Sequence, residues 1–448
     1  MNTLKAGFAR VNITPPMGIP IAGYYKVRLA EKVLDELEAN ALAVTDGRET
    51  LLLLSADLIE MPSPYSDPIR ERIARETGVK EDHILLCCTH THTGPKLDGE
   101  EEPALREEYF RFLSARLTDA CRFALQDLRS AQLGWAVGRA PGIAFIRRYR
   151  MKDGTIHTNP GILNPDTVTP VGQVNDQVSV VRLDREGGDS LVLVHFGCHP
   201  DTIGGCVISA DWPGFVRRTL ERTLDNTRCV FFNGAQGDVN HVNTQPGPGD
   251  LNDLTMDFDD VMRGYGHTRH MGRAVAGAVL QVIDKVQWVE DTAVHGAQQV
   301  ISCPSNRPRP EELPLARQID ALHRAGRDDE IPYQGMQLTT VVAEADRMLQ
   351  LEHGPDAFRL RISAAAIGPI GLAGVPGEPF AETGRAIQQA PGYGLVLPLC
   401  CTNGYENYFP LLQDFREGGY EARSCLFQAG VAEKIADQCL ALLRSFRE

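Results

Sequence analysis

Short apolar runs rich in β-branched residues, closed by Gly or Asp turns, alternate along the chain with longer stretches whose apolar residues recur three and four positions apart. The first pattern suits a buried strand and the second one stripe of a helix, so their alternation predicts a mixed α/β architecture. Residues 41–59 read as two strands about Asp46-Gly47, 177–197 as two more about Gly187-Gly188, and 359–375 has the same character about Gly368-Pro369. Strands joined by such short turns run antiparallel, which favours a sheet with substantial antiparallel content over a doubly wound parallel one. Helices are predicted over 104–127, 212–224, 268–285, 379–389 and 427–445. The expected fold is one large layered α/β domain spanning 1–448.

Two stretches leave this rhythm. Residues 241–262 carry Gln245-Pro246-Gly247-Pro248-Gly249 and then an Asp-rich run, and read as an exposed loop. Residues 303–335 open Pro-rich and continue as a charged helix-like piece, a peripheral insertion or lid. Composition narrows the partners. With 45 basic against 59 acidic side chains the formal charge is −14. That balance argues against a nucleic-acid or anionic-membrane surface, which needs clustered Lys and Arg. No apolar stretch approaches the ~20 residues that span a bilayer, and the first ten residues contain no secretory apolar segment. The chain reads as cytoplasmic, and its eleven cysteines, none in a CxxC pair, as buried reduced thiols.

Candidate chemistry gathers where apolar strands end. The run Ile84-Leu-Leu-Cys-Cys88 passes into Thr89-His90-Thr91-His92-Thr93-Gly94-Pro95. Period-two geometry puts His90 and His92 on one face, where they suit metal binding or proton transfer, with a satisfied polar pair as the alternative. A second strand, Leu191 to Val194, leads through His195, read as a core or supporting residue, to His199-Pro200-Asp201 at its mouth. Asp211, in Ile208-Ser-Ala-Asp211-Trp-Pro213, is placed to cap a helix. A third junction, Phe232-Asn233-Gly234-Ala-Gln236-Gly237-Asp238, offers Asn233, Gln236 and Asp238 to a ligand or to a metal ligand, with turn formation as the rival. Glu378 follows the 359–375 pair at the start of a helix, and Tyr405, Tyr408 and Tyr420 lie on a Gly-interrupted loop. Polar residues recurring at strand ends converge on one rim, where α/β proteins usually keep their sites.

In this order, from about residue 4 to 424, the motifs resemble the catalytic domain of the neutral/alkaline, non-lysosomal ceramidases, a family of zinc-dependent amidases. The resemblance rests on Thr89 to Pro95, the His199-Pro block with Ile208 to Asp211, Asn233 to Asn240, Pro376-Gly-Glu378 and the Tyr408 to Tyr420 segment. It implies one catalytic zinc ion (Zn2+) held by His90, His199, Glu378 and Tyr408. It implies His92 as the proton-transfer residue and Arg147 and Tyr420 as catalytic residues, with the adjacent Arg148 competing for the arginine's register. Asp211, Asn233, Gln236 and Asp238 remain supporting or substrate-binding candidates, and a second metal through Asp201, Asp211 or Asp238 is left open.

The chain also departs from that family. A serine once proposed there as nucleophile aligns with Gly234, so serine nucleophilic catalysis is not expected. Family members typically carry a further C-terminal β-sandwich, for which no room is expected after residue 448, and are secreted or membrane-associated. The expected function is zinc-dependent hydrolysis of an amide, or of an ester or lactone, in a small soluble substrate by metal-activated water. N-acylsphingosine hydrolysis and a catalytically silent ligand-binding homologue are the alternatives. The expected partner is a small-molecule substrate, with no nucleic acid and no stable membrane association. A homo-oligomer is left open.

Overall fold

The computed structural model describes residues 4–247, 255–257 and 261–448. Eight strands follow one another across the main sheet in the order Thr227–Asn233, Ser190–Phe196, Gln177–Arg185, Arg129–Arg139, Lys5–Asn12, Glu38–Thr45, Thr50–Ala56, Ile84–Cys88. The predicted antiparallel pairs are present: Glu38–Thr45 with Thr50–Ala56, Gln177–Arg185 with Ser190–Phe196, and Ala357–Ile367 with Ile370–Gly374. The outermost pair at each edge of the main sheet is parallel instead. A parallel connection needs a crossover; helices Ser63–Thr77 and Asp211–Thr223 supply it.

A second sheet, Val294–Pro304, Ala357–Ile367, Ile370–Gly374 and Leu395–Leu399, lies on one face of the first. Period-two alternation sorts the side chains. Ala39, Ala41, Ala43, Leu52 and Leu54 meet Leu113 and Leu117 of helix Pro103–Gln126, while Leu42, Val44, Leu51 and Leu53 meet Leu372 and Leu397 of the second sheet. The outer face of the second sheet packs Ile362 and Val396 against Ile435 and Cys439 of helix Val431–Ser445. The layers are therefore helices, sheet, sheet and helices. The uninterrupted run Leu51–Leu54 reads as it does because both of its faces are buried.

The two edges of the main sheet are drawn together. Ser55 Oγ donates to Phe231 O, and Asn233 Nδ2 donates to Thr89 O at 2.9 Å. The chain leaving Leu395–Leu399 runs between them: the Cys400 N–H donates to Asn233 O at 3.1 Å, and Cys401 O accepts from the Cys88 N–H at 3.2 Å. Three strand ends far apart in the strand order thus open onto one place.

Two predicted helices have different limits. The 268–285 helix is Tyr265–Leu280 followed by a separate 3-10 turn Ile283–Lys285, and the last helix begins at Val431, because Gly430 at φ 97° ends the preceding loop. Helix Ser63–Thr77 is not predicted by the pattern, since Pro64 and Pro68 disguise it, nor is Gly335–Glu352, which opens on a glycine. Of the stretch 241–262, residues 248–254 and 258–260 lie outside the described residues; His241, Val242 and Thr244 are buried, and Thr255–Asp257 pairs antiparallel with Val261–Arg263. Within 303–335, residues Leu313–Arg324 form a helix and Asp328–Glu330 a 3-10 turn. All eleven cysteines are unpaired thiols, buried except for the half-buried Cys206. No helix among the described residues is long and apolar enough to cross a membrane.

Candidate metal centre

His90 and His92 do not share a face for the reason the sequence suggests. The strand ends at Cys88, and His90 turns the chain with φ 72°, a left-handed conformation rare for a residue with a side chain. Bonds to neighbouring loops hold that turn: the His90 N–H donates to Leu58 O at 2.9 Å, and Thr91 Oγ1 donates to Ser209 O at 2.7 Å. The rings of His90 and His92 still converge, with centroids 5.0 Å apart, and His199 lies 5.1 Å from His90. Nitrogens of these three imidazoles lie within 4.8 Å of one another, a set that could hold a metal ion.

Backbone carbonyls decide which nitrogens face inward. A carbonyl oxygen only accepts, so a ring nitrogen bonded to one carries the proton and leaves the other nitrogen as a lone pair. His90 Nδ1 donates to Ile59 O at 2.8 Å, and His199 Nδ1 to Val239 O at 2.9 Å and Gln236 O at 3.0 Å. The free lone pairs then point at a carboxylate: Glu378 Oε2 is 2.9 Å from His199 Nε2 and 3.5 Å from His90 Nε2. All three atoms are acceptors. Arg147 Nη1 approaches His199 Nε2 at 3.4 Å, the outer limit of a hydrogen bond, while His90 Nε2 and Glu378 Oε2 have no hydrogen-bond partner. Burial pushes the His90 imidazolium down to about 4. For Glu378, burial would raise the carboxyl, but His90, His199 and Arg147 outweigh it and hold the carboxyl below its usual range. A divalent cation could be held between this buried carboxylate and the inward imidazole nitrogens, where it would remove the repulsion among their lone pairs.

Glu378 and Tyr408 are neighbours by strand register. Glu378–Pro379 and Tyr408–Phe409 pair parallel with Glu378 opposite Tyr408. The Tyr408 ring stacks on His199 with centroids 6.5 Å apart. Burial, reinforced by Glu378 and opposed by Arg147, pushes the Tyr408 phenol well up. Tyr405 OH donates to Glu378 Oε1 at 2.7 Å. That bond is missed in sequence, because a loop tyrosine ordinarily packs.

Arg147 and Arg148 separate cleanly. The Arg147 guanidinium lies 5.2 Å from the Tyr408 ring centre and 5.9 Å from that of Tyr420. Its Nε donates to Glu421 Oε1 at 2.7 Å and its Nη2 to Gly237 O at 2.8 Å. Burial would lower Arg147, but Tyr408, Glu421 and Glu378 overcome it and keep the guanidinium charged. Arg148 turns away to Asp414 and to Gly418 O, bracing the Gly418-Gly419 turn that delivers Tyr420. Tyr420 OH meets Tyr25 OH at 3.4 Å. His92 is buried with neither ring nitrogen hydrogen-bonded; Asp201 Oδ1, which accepts from Tyr24 OH at 2.8 Å, is 3.6 Å from His92 Nδ1.

The remaining sequence candidates support the site from behind. Asn233 Nδ2 donates to Thr89 O, to Cys198 O at 3.1 Å and to Gln236 Oε1 at 2.6 Å, joining the strand ends that carry His90 and His199. Asp238 Oδ1 accepts from the Ala381 N–H at 2.7 Å, at the start of the helix after Glu378. Asp211 begins its helix instead of preceding it, at φ 50°. Its carboxylate accepts from the N–H groups of Thr202 at 2.9 Å, Ile203 at 3.1 Å and Trp212 at 2.6 Å, so it braces the loop after His199. Burial raises both Asp211 and Asp238 to about 6. A Cβ at Gly234 would fall 2.8 Å from His195 Nε2, which leaves no room there for a serine side chain.

His195 is a core residue, 4% exposed, donating from Nε2 to Pro398 O at 2.8 Å. Burial lowers its imidazolium to about 4, from an ordinary value of 6.5. Below pH 6.5 the unfolded chain binds a proton that the folded one refuses, so this contribution is complete above 6.5 and is lost as pH falls toward 4. Between pH 7.5 and 5 the expected loss is about 2 kcal/mol. His195→Gln, which can keep the bond to Pro398 O, is expected to remove about that much from the pH dependence of urea unfolding. An unchanged slope would refute the assignment.

No family model matches the sequence, and no curated protein matches it. Among solved structures, a crystal structure of neutral ceramidase from Pseudomonas aeruginosa aligns over 100% of this chain and 75% of its own, with a TM-score of 0.73 and 16% identity. A ceramidase complexed with C2 aligns over 99% of this chain and 76% of its own, with a TM-score of 0.72 and 16% identity. The mixed, two-sheet α/β architecture of this chain is thus the neutral ceramidase fold.

Proposed function

We propose that this protein is a zinc-dependent hydrolase that cleaves an amide bond, with esters and lactones open to the same chemistry, in a small polar substrate. The observation that carries the reading is the facing of His90 Nε2, His199 Nε2 and the buried Glu378 carboxylate, all acceptors. Zinc suits two imidazoles with a carboxylate and a phenol oxygen, so His90, His199, Glu378 and Tyr408 would hold it. Such an ion with an open position supplies Lewis acidity and activates water near neutral pH.

The chain's own groups do the rest. His92 faces the cavity as a neutral base, kept so by burial, and takes the proton of the attacking water before returning it to the leaving amine. Arg147 and Tyr420 direct donors to the developing oxyanion, a role worth roughly 3 to 4 kcal/mol per well-placed donor. The cavity, of about 830 Å³, is walled largely by charged and phenolic side chains. Asp320, His323 and Arg324 of helix Leu313–Arg324 line one side of it, so the 303–335 stretch reaches the site. A two-tailed lipid calls for an apolar groove, and this lining favours a polar substrate over N-acylsphingosine.

His92 is near enough to the other imidazoles to be a ligand instead of a base, and one variant distinguishes the roles. His92→Ala is expected to retain stoichiometric zinc and to lose about a hundred-fold or more in kcat on any amide the wild type hydrolyses. Zinc lost in parallel with activity would make His92 a ligand. A wild type that takes up no zinc, measured by elemental analysis of the purified protein, would overturn the hydrolase reading. Fatty-acid release from N-acylsphingosine at a rate above that of polar amides would overturn the substrate class.

A further inference from the structure

We propose that the cavity recognises a protonated amine on the substrate, held by Glu60 and Asp98. The inference rests on the hydrolase reading for the word substrate, and on the cavity alone for the ligand. Three of the seven carboxylates lining this cavity are matched by a cation: Asp320 with Arg324 at 2.8 Å, Asp328 with His323 at 2.8 Å, and Glu101 with Lys96 at 3.9 Å. Glu60 and Asp98 line the same cavity, and neither has a Lys, Arg or His partner among the described residues within 4.0 Å. Asp346, exposed at the mouth, is likewise without an ion-pair partner among the described residues. The cavity floor carries the unpartnered His90 Nε2 and Glu378 Oε2, on residues 1% and 0% exposed, so this is a site that accepts a ligand and not merely an acidic surface.

The missing counter-charge is organic and not a second metal ion. Among the described residues, the one group of His, Cys, Asp and Glu donors close enough to share an ion is His90, His92 and His199. Neither Glu60 nor Asp98 belongs to a group of three such donors, whereas an ammonium group brings three N–H donors of its own and needs no ring of ligands. Burial, with Asp98 and Glu378 nearby, pushes the Glu60 carboxyl up to about 8. Tyr25, 41% exposed on the same wall, adds an aromatic face of the kind that attracts ammonium. Tyr405, whose hydroxyl donates to Glu378 Oε1 at 2.7 Å, lines the cavity together with Glu60, which places the amine subsite beside the metal centre.

Calorimetric titration tests this without turnover. Zinc-loaded and zinc-free protein at pH 8 are each titrated with 1,4-diaminobutane, 1,4-butanediol and succinate, three chains of equal length and different charge. The diamine is expected to bind at least about ten-fold tighter than the diol, with succinate weakest, since a hydrogen bond to a charged group is worth about 1.5 to 3 kcal/mol. Glu60→Gln and Asp98→Asn are each expected to weaken the diamine at least about ten-fold while leaving zinc content and melting temperature unchanged. Absence of a diamine preference, or variants that bind it as the wild type does, would overturn the proposal. So would a second equivalent of zinc that displaces the diamine, which would make the acids a metal site. Zinc-replete protein without diamine preference sinks this inference alone; protein that takes up no zinc sinks the hydrolase reading, and the zinc-free titration still decides the amine site.

Discussion

His199→Ala is expected to leave a folded protein that no longer retains zinc and whose hydrolytic rate falls by at least about 10⁴. The magnitude follows from what the ion contributes. Lewis-acid stabilisation is worth several kcal/mol, and each 1.36 kcal/mol is a factor of ten in rate. His199 is the sensitive position because its Nε2 makes the closest approach to Glu378, 2.9 Å, and because its Nδ1 is pinned by two carbonyls that fix the inward lone pair. Removing the ring leaves His90, Glu378 and Tyr408, one donor fewer than the proposed set and too few to retain an ion at its former affinity. Elemental analysis and turnover should fall together. A variant that retained both zinc and activity would remove His199 from the metal centre and with it the proposed chemistry.

Asp57→Ala is expected to destabilise the fold by about 3 to 5 kcal/mol, a large share of the 5 to 15 kcal/mol typical of a whole protein. Asp57 and Arg217 form a buried bidentate pair at 2.6 and 3.0 Å, their side chains 0% and 2% exposed. The same carboxylate accepts from the Glu38 N–H at 2.9 Å and from Thr89 Oγ1 at 3.2 Å, so it ties the end of strand Thr50–Ala56 to the start of the histidine motif. Removing it leaves the buried guanidinium with Glu38 Oε2, 3.3 Å from Arg217 Nε, as its remaining carboxylate, and breaking such a pair from one side is the most damaging way to break it. In Asp57→Ala/Arg217→Met both charges are gone. Chemical denaturation should therefore show the double variant to be more stable than Asp57→Ala alone. If the two losses simply add, the pair is not the source of the stability.

The chain's local patterns carried much of this architecture. Apolar alternation about Asp46-Gly47, Gly187-Gly188 and Gly368-Pro369 marked the three antiparallel pairs, and the spacing of apolar residues marked five helices to within a few positions. These are legible because burial of a regular element repeats with the element's own period. Helix Ser63–Thr77 was hidden because its prolines mimic a turn, and the parallel edges were hidden because pairing direction leaves no trace in a single strand's pattern.

The site divides in the same way. Residue type and order, with the family resemblance they carry, singled out the candidates for chemistry: His90, His92, His199, Glu378 and the tyrosines that follow. Only the tertiary structure decided how they meet. Closing the sheet on itself through Asn233 and Cys400 brings opposite edges together, and a two-residue parallel pairing sets Glu378 beside Tyr408. Arg147 turns in and Arg148 out, two carbonyls select the imidazole lone pairs, and helix Leu313–Arg324 supplies charge to the cavity wall. Each of these depends on contacts between residues distant along the chain. Such contacts impose no period on the sequence, whereas a strand or helix that buries one face does.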